Sequence, residues 1–370
     1  MLHPLNPPAC ISELNHLIDW QKKVLEYARD HSRHDWSTFR SVLGDDFTDF
    51  ILNNQNLSGN WGKAFRRFEQ DLSRLVKCPR QDKQKVITDF NHDQTFFAHL
   101  DDLNFTFAFP HSISDAHKEA KNCLNAFYEF LSVGYPHALV PTHVGSLFRK
   151  QDVVVGYKQT NEFVEYVCPC CDSQWTDTPG GNEEGYTLEH YFHKKMYPSI
   201  CLHPFNLVPM CSGCNSRRGE KDALNPDPSL RLLYTEIFHP IHRPVRNHAE
   251  LTYQSTANGR ELMGFTDLPG QSSSWADAID AYGLLYEIPD RWQTLWKRVE
   301  QRIDRSLKAC LRHFELEGKS LNVALFSTAI DRAIIDLEEN FEHFNYPAAR
   351  WLRWAKQHKF QDLCAMYDAY

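Results

Sequence analysis

Two CxxC motifs, Cys168-Pro169-Cys170-Cys171 and Cys211-Ser212-Gly213-Cys214, stand in the middle of the chain with 39 residues between Cys171 and Cys211. Each motif holds two thiolates about one tetrahedral edge apart, and two such motifs complete a closed site of four sulfur ligands. The sequence therefore predicts a structural Zn²⁺ bound by Cys168, Cys171, Cys211 and Cys214. Because a closed site offers no open position to a substrate, this zinc is expected to fold the surrounding chain.

Two further cysteines lie close to these motifs in the sequence. Cys170 falls inside the first motif and could replace a neighbouring ligand, whereas Cys201 stands alone and is expected to be a buried thiol. Paired CxxC motifs alone equally describe a zinc ribbon that only binds partners. The residues between and after the motifs decide between these interpretations.

Those residues follow a recognisable order. They are Tyr186-Thr187-Leu188-Glu189-His190-Tyr191, then Pro204-Phe205-Asn206, then Cys214-Asn215-Ser216-Arg217-Arg218. This order resembles the HNH endonucleases, the zinc-stapled branch of the ββα-metal (His-Me finger) nucleases. In that family an acidic residue and His lie on a first strand, Asn lies on a second, and His or Asn begins a helix, with CxxC pairs flanking the whole. The match covers residues 165 to 225 and implies a ββα-metal module there.

The resemblance implies a role for each matching residue. His190 looks like the general base that deprotonates a water, a step suited to a neutral imidazole. Glu189 and Asn215 look like the two protein ligands of one catalytic Mg²⁺ or Mn²⁺ ion. Asn206 looks like a supporting residue that ties down the loop and helps to orient the His190 ring. The chain departs from the commoner pattern in having Glu at position 189, and Asn215 makes it an H-N-N variant.

Other polar residues of this segment are weaker candidates. His193 and His203 are alternatives as site residues, and His203 is expected to be a hydrogen-bonded loop residue. Residues 186–222 carry five basic and three acidic side chains, within a chain whose net charge is −8. Four of the basic residues are expected to contact substrate phosphates, and they are Lys194, Arg217, Arg218 and Lys221.

Hydrophobic periodicity divides the rest of the chain. Residues 1–150 are predicted to form a helical domain, with one helix beginning after Ser114. Residues 151–230 are predicted to form the nuclease module, preceded by short strands at Val153–Val155 and Phe163–Val167. A mixed extension with strands near 251–254 and 261–265 follows over 231–289, and a second helical domain covers 290–370. The predicted fold class is therefore α+β and mostly helical.

Composition limits the function classes. With 370 residues, 42% hydrophobic and 24% charged, the chain is typical of a folded protein, and its net charge of −8 excludes a strongly basic DNA-binding surface. No run approaches the roughly 18 apolar residues of a spanning helix, so no membrane partner is expected. The first residues lack the pattern of a secretory signal, and a cytoplasmic location is expected.

The resemblance implies a metal-dependent endonuclease that hydrolyses phosphodiester bonds in DNA. By analogy with other HNH modules, it would serve bacterial anti-phage defence or restriction, as a homo-oligomer or with a partner protein such as an ATPase. An RNA-cleaving HNH nuclease is one alternative, because the mechanism needs no particular sugar. The other is a zinc-stapled, non-catalytic adaptor that binds nucleic acid or a partner through its helical arms.

Overall fold

The computed structural model describes residues 2–99, 101–173, 186–219, 221–224, 226, 232, 236–255, 261–269, 275–340, 342 and 344–369. Its first part is helical, as the sequence predicts. The helices there are α1 (Ile11–Asp30), α2 (Trp36–Leu43), α3 (Asp45–Asn54), α4 (Gly59–Leu75), α5 (Arg80–Asp93) and α6 (Asp115–Phe130).

Helix α6 shows how these helices form and pack. Its N-cap is Ser114, as predicted, because the Ser114 hydroxyl accepts the His117 backbone N–H at 3.3 Å. Aromatic side chains on its inner face meet α4, and the rings of Phe65 and Phe130 stack with centroids 4.1 Å apart. Tyr128 of α6 donates its hydroxyl proton to the Leu188 carbonyl, so this helix also fixes the central module.

The predicted strand at Val153–Val155 is wrong. After the short pair β1 (Tyr135–Pro136) and β2 (Leu147–Phe148), residues Lys150–Thr160 form helix α7. The Asp152 carboxylate accepts the Arg149 backbone N–H at 2.6 Å and so caps the helix start, and helical spacing buries Val153 and Tyr157 on one face. The strand expected at Phe163–Val167 is a short 3₁₀ helix over Glu162–Glu165. Tertiary burial outweighed the β propensity of these residues.

The central module consists of two strands followed by a helix. Strands β3 (Tyr186–His190) and β4 (Leu207–Cys211) pair antiparallel, with Tyr186 opposite Cys211 and His190 opposite Leu207, and helix α8 (Ser212–Arg218) follows directly. Tyr157 of α7 holds this pair by donating to the Leu207 carbonyl at 2.5 Å. The strand pair is therefore anchored by helices of the first 160 residues.

The remaining elements also follow the predicted pattern. Strands β5 (Ala249–Ser255) and β6 (Glu261–Asp267) pair antiparallel, which confirms the strands predicted in the extension. The helices after them are α9 (Ala276–Tyr286), α10 (Ile288–Thr294), α11 (Trp296–Leu316), α12 (Val323–Glu339), α13 (Asn345–His358) and α14 (Phe360–Met366).

One cluster of buried apolar side chains runs from Leu2 to Ala369 through all of these regions, and the predicted α+β, mostly helical fold class is confirmed. In the part of the chain that the structure describes, no helix has both the length and the apolar character to cross a membrane.

Candidate active site and metal centre

The four predicted cysteines converge in space. The sulfurs of Cys168, Cys171, Cys211 and Cys214 all lie within 4.8 Å of one another, and all four residues are buried. Backbone amides approach this four-sulfur cluster, since Cys211 N donates to Cys168 Sγ at 3.3 Å and Cys214 N donates to Cys211 Sγ at 3.4 Å. Four thiolates in a closed arrangement are the donor set of structural zinc, so the cluster could bind this ion.

An arginine of the C-terminal helices contacts the same sulfurs. Arg291 Nη1, from α10, donates to the sulfurs of Cys171, Cys211 and Cys214 at 2.9, 3.1 and 3.1 Å. Because Zn²⁺ with four thiolates would carry a net negative charge, the buried guanidinium would offset that charge. No sequence signal indicates Arg291, because it lies far along the chain and outside any motif.

The two neighbouring cysteines lie outside the four-sulfur cluster. The Cys170 carbonyl accepts the Tyr282 hydroxyl at 2.6 Å, and its thiol is buried. Cys201 is a buried thiol, as expected, and its sulfur accepts the Gln21 amide at 3.3 Å while donating to the Leu124 carbonyl. Burial raises the pKa of the Cys201 thiol to about 12, so it stays protonated.

The two predicted ligands of the catalytic cation meet beside this centre. Asn215 Nδ2 of α8 donates to Glu189 Oε1 of β3 at 2.7 Å. Burial raises the pKa of the Glu189 carboxyl, and the ammonium groups of Lys150 and Lys194 partly oppose that rise. A carboxylate oxygen and an amide oxygen suit a hard divalent ion, and the two neighbouring ammonium groups suit a phosphate.

His190 is more deeply buried than is expected of a general base that contacts water. Its side chain is only 4% exposed, and its ring packs edge-on against Tyr128 with centroids 4.2 Å apart. The resemblance implies that His190 is a general base, which needs access to a water molecule, whereas most of the ring faces the interior. Burial, followed by the charge of Lys194, holds the pKa of His190 well below its usual range, so the ring is neutral.

A hydrogen bond fixes the tautomer of this ring. His190 Nε2 lies 3.0 Å from the Cys201 carbonyl, which can only accept, so Nε2 carries the proton and Nδ1 has the free lone pair. Among the residues that the structure describes, no group forms a hydrogen bond with Nδ1. Nδ1 is therefore the nitrogen at which this ring can accept a proton.

Asn206 is a fully buried residue that closes the loop between the two strands. Its Oδ1 accepts the Phe192 N–H at 2.6 Å, and its Nδ2 donates to the carbonyls of Phe192 and Ile200 at 3.1 and 3.0 Å. Ile200 directly precedes Cys201, whose carbonyl holds His190. The amide therefore fixes the loop segment that orients the His190 ring.

Three of the four cations expected to contact phosphate are placed differently. Arg218 is only 2% exposed and donates from Nη2 to the Tyr191 carbonyl at 2.7 Å. Arg217 Nε pairs with Glu287 at 3.1 Å, and Lys221 Nζ donates to the Leu284 carbonyl at 2.6 Å. Arg218 therefore faces the protein interior, and its contact with a substrate phosphate stays a prediction. Arg217 and Lys221 contact α9 and the residue that follows it because α8 packs against α9.

Two lysines lie beside Glu189 instead. The ammonium groups of Lys150 and Lys194 stand 3.9 and 4.5 Å from the centroid of the Tyr128 ring. Lys194, a predicted phosphate contact, also pairs with Glu129. Burial lowers the pKa of Lys150 to about 8. Lys150 and Tyr128 were missed because they come from α7 and α6, and no sequence signal links them to the motifs.

The remaining histidine candidates have local roles. His203 is 8% exposed, its Nδ1 accepts the Phe205 N–H at 3.3 Å, and burial lowers its pKa to about 3. It is a hydrogen-bonded loop residue, as expected. His193 Nδ1 likewise accepts the Lys195 N–H at 3.3 Å.

A cavity of about 630 Å³ opens beside Glu189. Its walls come from α6, α7 and β3, and they include Tyr128, Lys150, Gln151, Asp152, Val154, Val155, Lys158, Thr187, Leu188 and Glu189. Glu189 thus reaches a space large enough for a small ligand, whereas His190 is not part of this lining.

Comparisons of the chain with family models, curated proteins and solved structures gave no match. The cysteine cluster is compatible with a zinc-knuckle module, and the HNH resemblance rests on the residues themselves.

Proposed function

We propose that this protein is a metal-dependent endonuclease of the HNH type that hydrolyses phosphodiester bonds in DNA. The proposal is carried by one observation, the 2.7 Å contact of Glu189 with Asn215. These residues come from the first strand and the helix of a strand-strand-helix unit, which is where the resemblance expects them.

The chain's own residues supply the base. His190 Nδ1 accepts the proton of a water whose oxygen attacks phosphorus, while Nε2–H stays bonded to the Cys201 carbonyl and keeps the ring in place. The new P–O bond forms as the bond to the 3′ oxygen breaks, and that oxygen takes a proton from solvent. Asn206 supports the reaction by fixing the loop that carries Cys201.

Glu189 and the Oδ1 of Asn215, once its amide turns over, would hold Mg²⁺ or Mn²⁺. When bound, this cation supplies positive charge to the scissile phosphate and the leaving oxygen. The four-sulfur cluster has no open ligand position, so its zinc is assigned a structural role.

The choice of DNA, the cytoplasmic location and the setting in bacterial anti-phage defence or restriction are carried by the resemblance of the module. So is the expectation of a homo-oligomer or an ATPase partner. The net charge of −8 supports a contribution from a second subunit, because a chain with this charge does not bind DNA tightly through nonspecific attraction alone.

The decisive variant is Glu189→Gln, which keeps the side-chain shape and the acceptor for Asn215. Purified protein would be incubated with plasmid DNA and with RNA, in Mg²⁺ and in Mn²⁺. We expect nicking of DNA by the wild type, its loss with EDTA, its return with added Mg²⁺, and a fall of at least about 100-fold in Glu189→Gln and in His190→Ala. Glu338→Gln, which breaks an ion pair with Arg353 far along the chain, is the matched control.

Two results would overturn this function. One is cleavage by Glu189→Gln at the wild-type rate. The other is no cleavage of either nucleic acid by a folded, zinc-loaded wild type, which would favour the non-catalytic adaptor, a role that the burial of His190 also suits. Cleavage of RNA alone would instead assign the RNA-cleaving alternative.

A further inference from the structure

One face of helix α7 forms the wall of the cavity that opposes Glu189. Lys150, Val154 and Lys158 recur at four-residue spacing and all line this cavity, as do Gln151 and Val155. The opposite wall is the strand segment Thr187–Glu189. The cavity therefore leads from the proposed cation ligand along the helix face.

The charge of this cavity is unbalanced on its helix side. Lys150 is half-buried, and no ion pair joins it to a carboxylate among the described residues, whereas Lys194 beside it pairs with Glu129. Asp152 also lines the cavity, but its carboxylate accepts the Arg149 backbone N–H at 2.6 Å. The first turn of α7 adds the partial positive charge of a helix N-terminus. An anionic group that enters the cavity would pair with the positive charge of Lys150 and of the helix N-terminus.

The cavity is large enough, and its walls are apolar enough, to hold a sugar and a base as well as a phosphate. About 630 Å³ lies within the range of roughly 300 to 1,000 Å³ found for small-molecule sites. Val154 and Leu188 give the cavity an apolar surface, and Val155 remains 48% exposed at its edge. Such surfaces pack against sugar and base rings, and Lys158 stands about 12 Å along the helix from Lys150.

We propose that this cavity is the subsite for the nucleotide next to the scissile bond, with Lys150 bonded to a backbone phosphate and Val154, Val155 and Leu188 against its sugar and base. Lys158, at the outer end of the cavity, would lie along the path of the same DNA strand. This inference rests on the proposed nuclease function and assigns to it a strand-binding surface that no motif of the sequence indicates.

The test measures binding apart from cleavage. Fluorescence anisotropy would follow labelled DNA oligonucleotides, single-stranded and duplex, with zinc-loaded protein in Ca²⁺. We expect Lys150→Gln to weaken binding at least about 10-fold and to lower the slope of log K against log salt by about 0.7 to 0.9, the change for one lost phosphate contact. Lys77→Gln removes an exposed lysine elsewhere and should stay within about twofold of the wild type.

A second pair of variants tests the apolar wall. Val155→Glu places a negative charge at the cavity edge and is expected to weaken binding about 5-fold or more. Ile335→Glu changes a helical residue of similar exposure, 52% against 48%, and should leave binding unchanged.

The outcomes separate this subsite from the nuclease activity. Binding that depends on Lys150 and Val155 without any cleavage would support the cavity as a nucleic-acid-binding site and overturn the nuclease. Cleavage and binding by Lys150→Gln at wild-type levels would overturn the subsite and leave the nuclease standing. No binding by the wild type, or equal losses in the variants and their controls, would also overturn the subsite.

Discussion

The four-sulfur cluster and the Glu189–Asn215 pair lie within one short module but in opposite surroundings. The sulfurs are buried and are approached by backbone amides and by Arg291. Glu189 and Asn215 are half-buried, and Glu189 opens onto a large cavity. The contrast indicates that one centre holds the fold together while the other is free to meet a ligand.

Contacts around the first CxxC motif strengthen this contrast. Asp172, directly after the motif, bonds His3 at 2.7 Å through Oδ1 and the Tyr346 N–H at 2.9 Å through Oδ2. Its carbonyl accepts the Phe344 N–H at 2.8 Å. Segments near both termini therefore meet beside the proposed zinc, and no comparable set of contacts joins them at Glu189 within the described residues.

Loss of the zinc is expected to have the largest effect. Structural zinc contributes on the order of 10 kcal/mol to small zinc modules, so chelation or Cys171→Ser should lower the melting temperature by more than about 10 °C. Circular dichroism melts with metal analysis measure this. Cys310→Ser, outside the cluster, is the control. An unchanged melting temperature after verified metal loss would contradict the structural role of the four-sulfur cluster.

Asn206→Ala tests whether the loop beside the open site depends on one buried amide. It leaves the Phe192 N–H and the carbonyls of Phe192 and Ile200 without their partner, and we expect a loss of about 3 kcal/mol in the free energy of unfolding. Urea unfolding measures this, with the exposed Asn340→Ala as control. A loss below about 1 kcal/mol would show that the loop is held by other contacts.

Asp93 connects that loop to α5 and gives a pH-dependent test. Its buried carboxylate accepts the Ser199 hydroxyl at 2.6 Å and the Ala108 N–H at 2.7 Å, and burial raises the pKa of Asp93 to about 6. The unfolded chain loses this proton near pH 4 and the folded chain only near pH 6, so the Asp93 contribution to stability falls by about 3 kcal/mol as pH rises through this window.

Asp93→Asn cannot ionise and should lack this fall. The stability of the variant relative to the wild type is therefore expected to rise by about 3 kcal/mol between pH 4 and pH 7, as measured by urea unfolding. Using the difference between the two proteins cancels the titration of all other groups. A difference that is constant with pH would place the pKa of Asp93 near its ordinary value.

Arg291→Met should affect the closed centre alone. Without the guanidinium beside three sulfurs, zinc is expected to dissociate about 10-fold faster into a chromophoric chelator, with an intermediate rate in Arg291→Lys. Arg353→Met, which breaks a surface ion pair, is the control. Equal release rates in all four proteins would contradict a role of Arg291 in retaining the metal.

Glu287→Gln should have the smallest effect. Glu287 pairs with Arg217 at 3.1 Å and with Lys221 at 3.6 Å in partly exposed contacts, so we expect a change below about 1 kcal/mol and oligonucleotide binding within about twofold of the wild type. Much tighter binding after this change would indicate that Arg217 and Lys221 contact the substrate when Glu287 does not pair with them.

The sequence predicted what depends on local spacing and missed what depends on packing. The convergence of the four sulfurs followed from the spacing of the CxxC motifs, and the meeting of Glu189 with Asn215 followed from the family resemblance of the segment between and after them. Lys150, Tyr128 and Arg291 belong to distant helices, whose approach is set by the hydrophobic core. The strand predicted at 153–155 is wrong because the Asp152 cap and the burial of one helix face outweigh the β propensity of the valines.

The meeting of distant segments at Asp172 also implies an order of events during synthesis. Phe344 follows Cys214 by 130 residues, which a ribosome adds in roughly 6 to 26 s at 5 to 20 residues per second. All four thiols thus emerge well before Arg291 and Phe344 can cover them. We expect the nascent chain to acquire its metal in that interval, with the late helices then sealing an ion that is already in place.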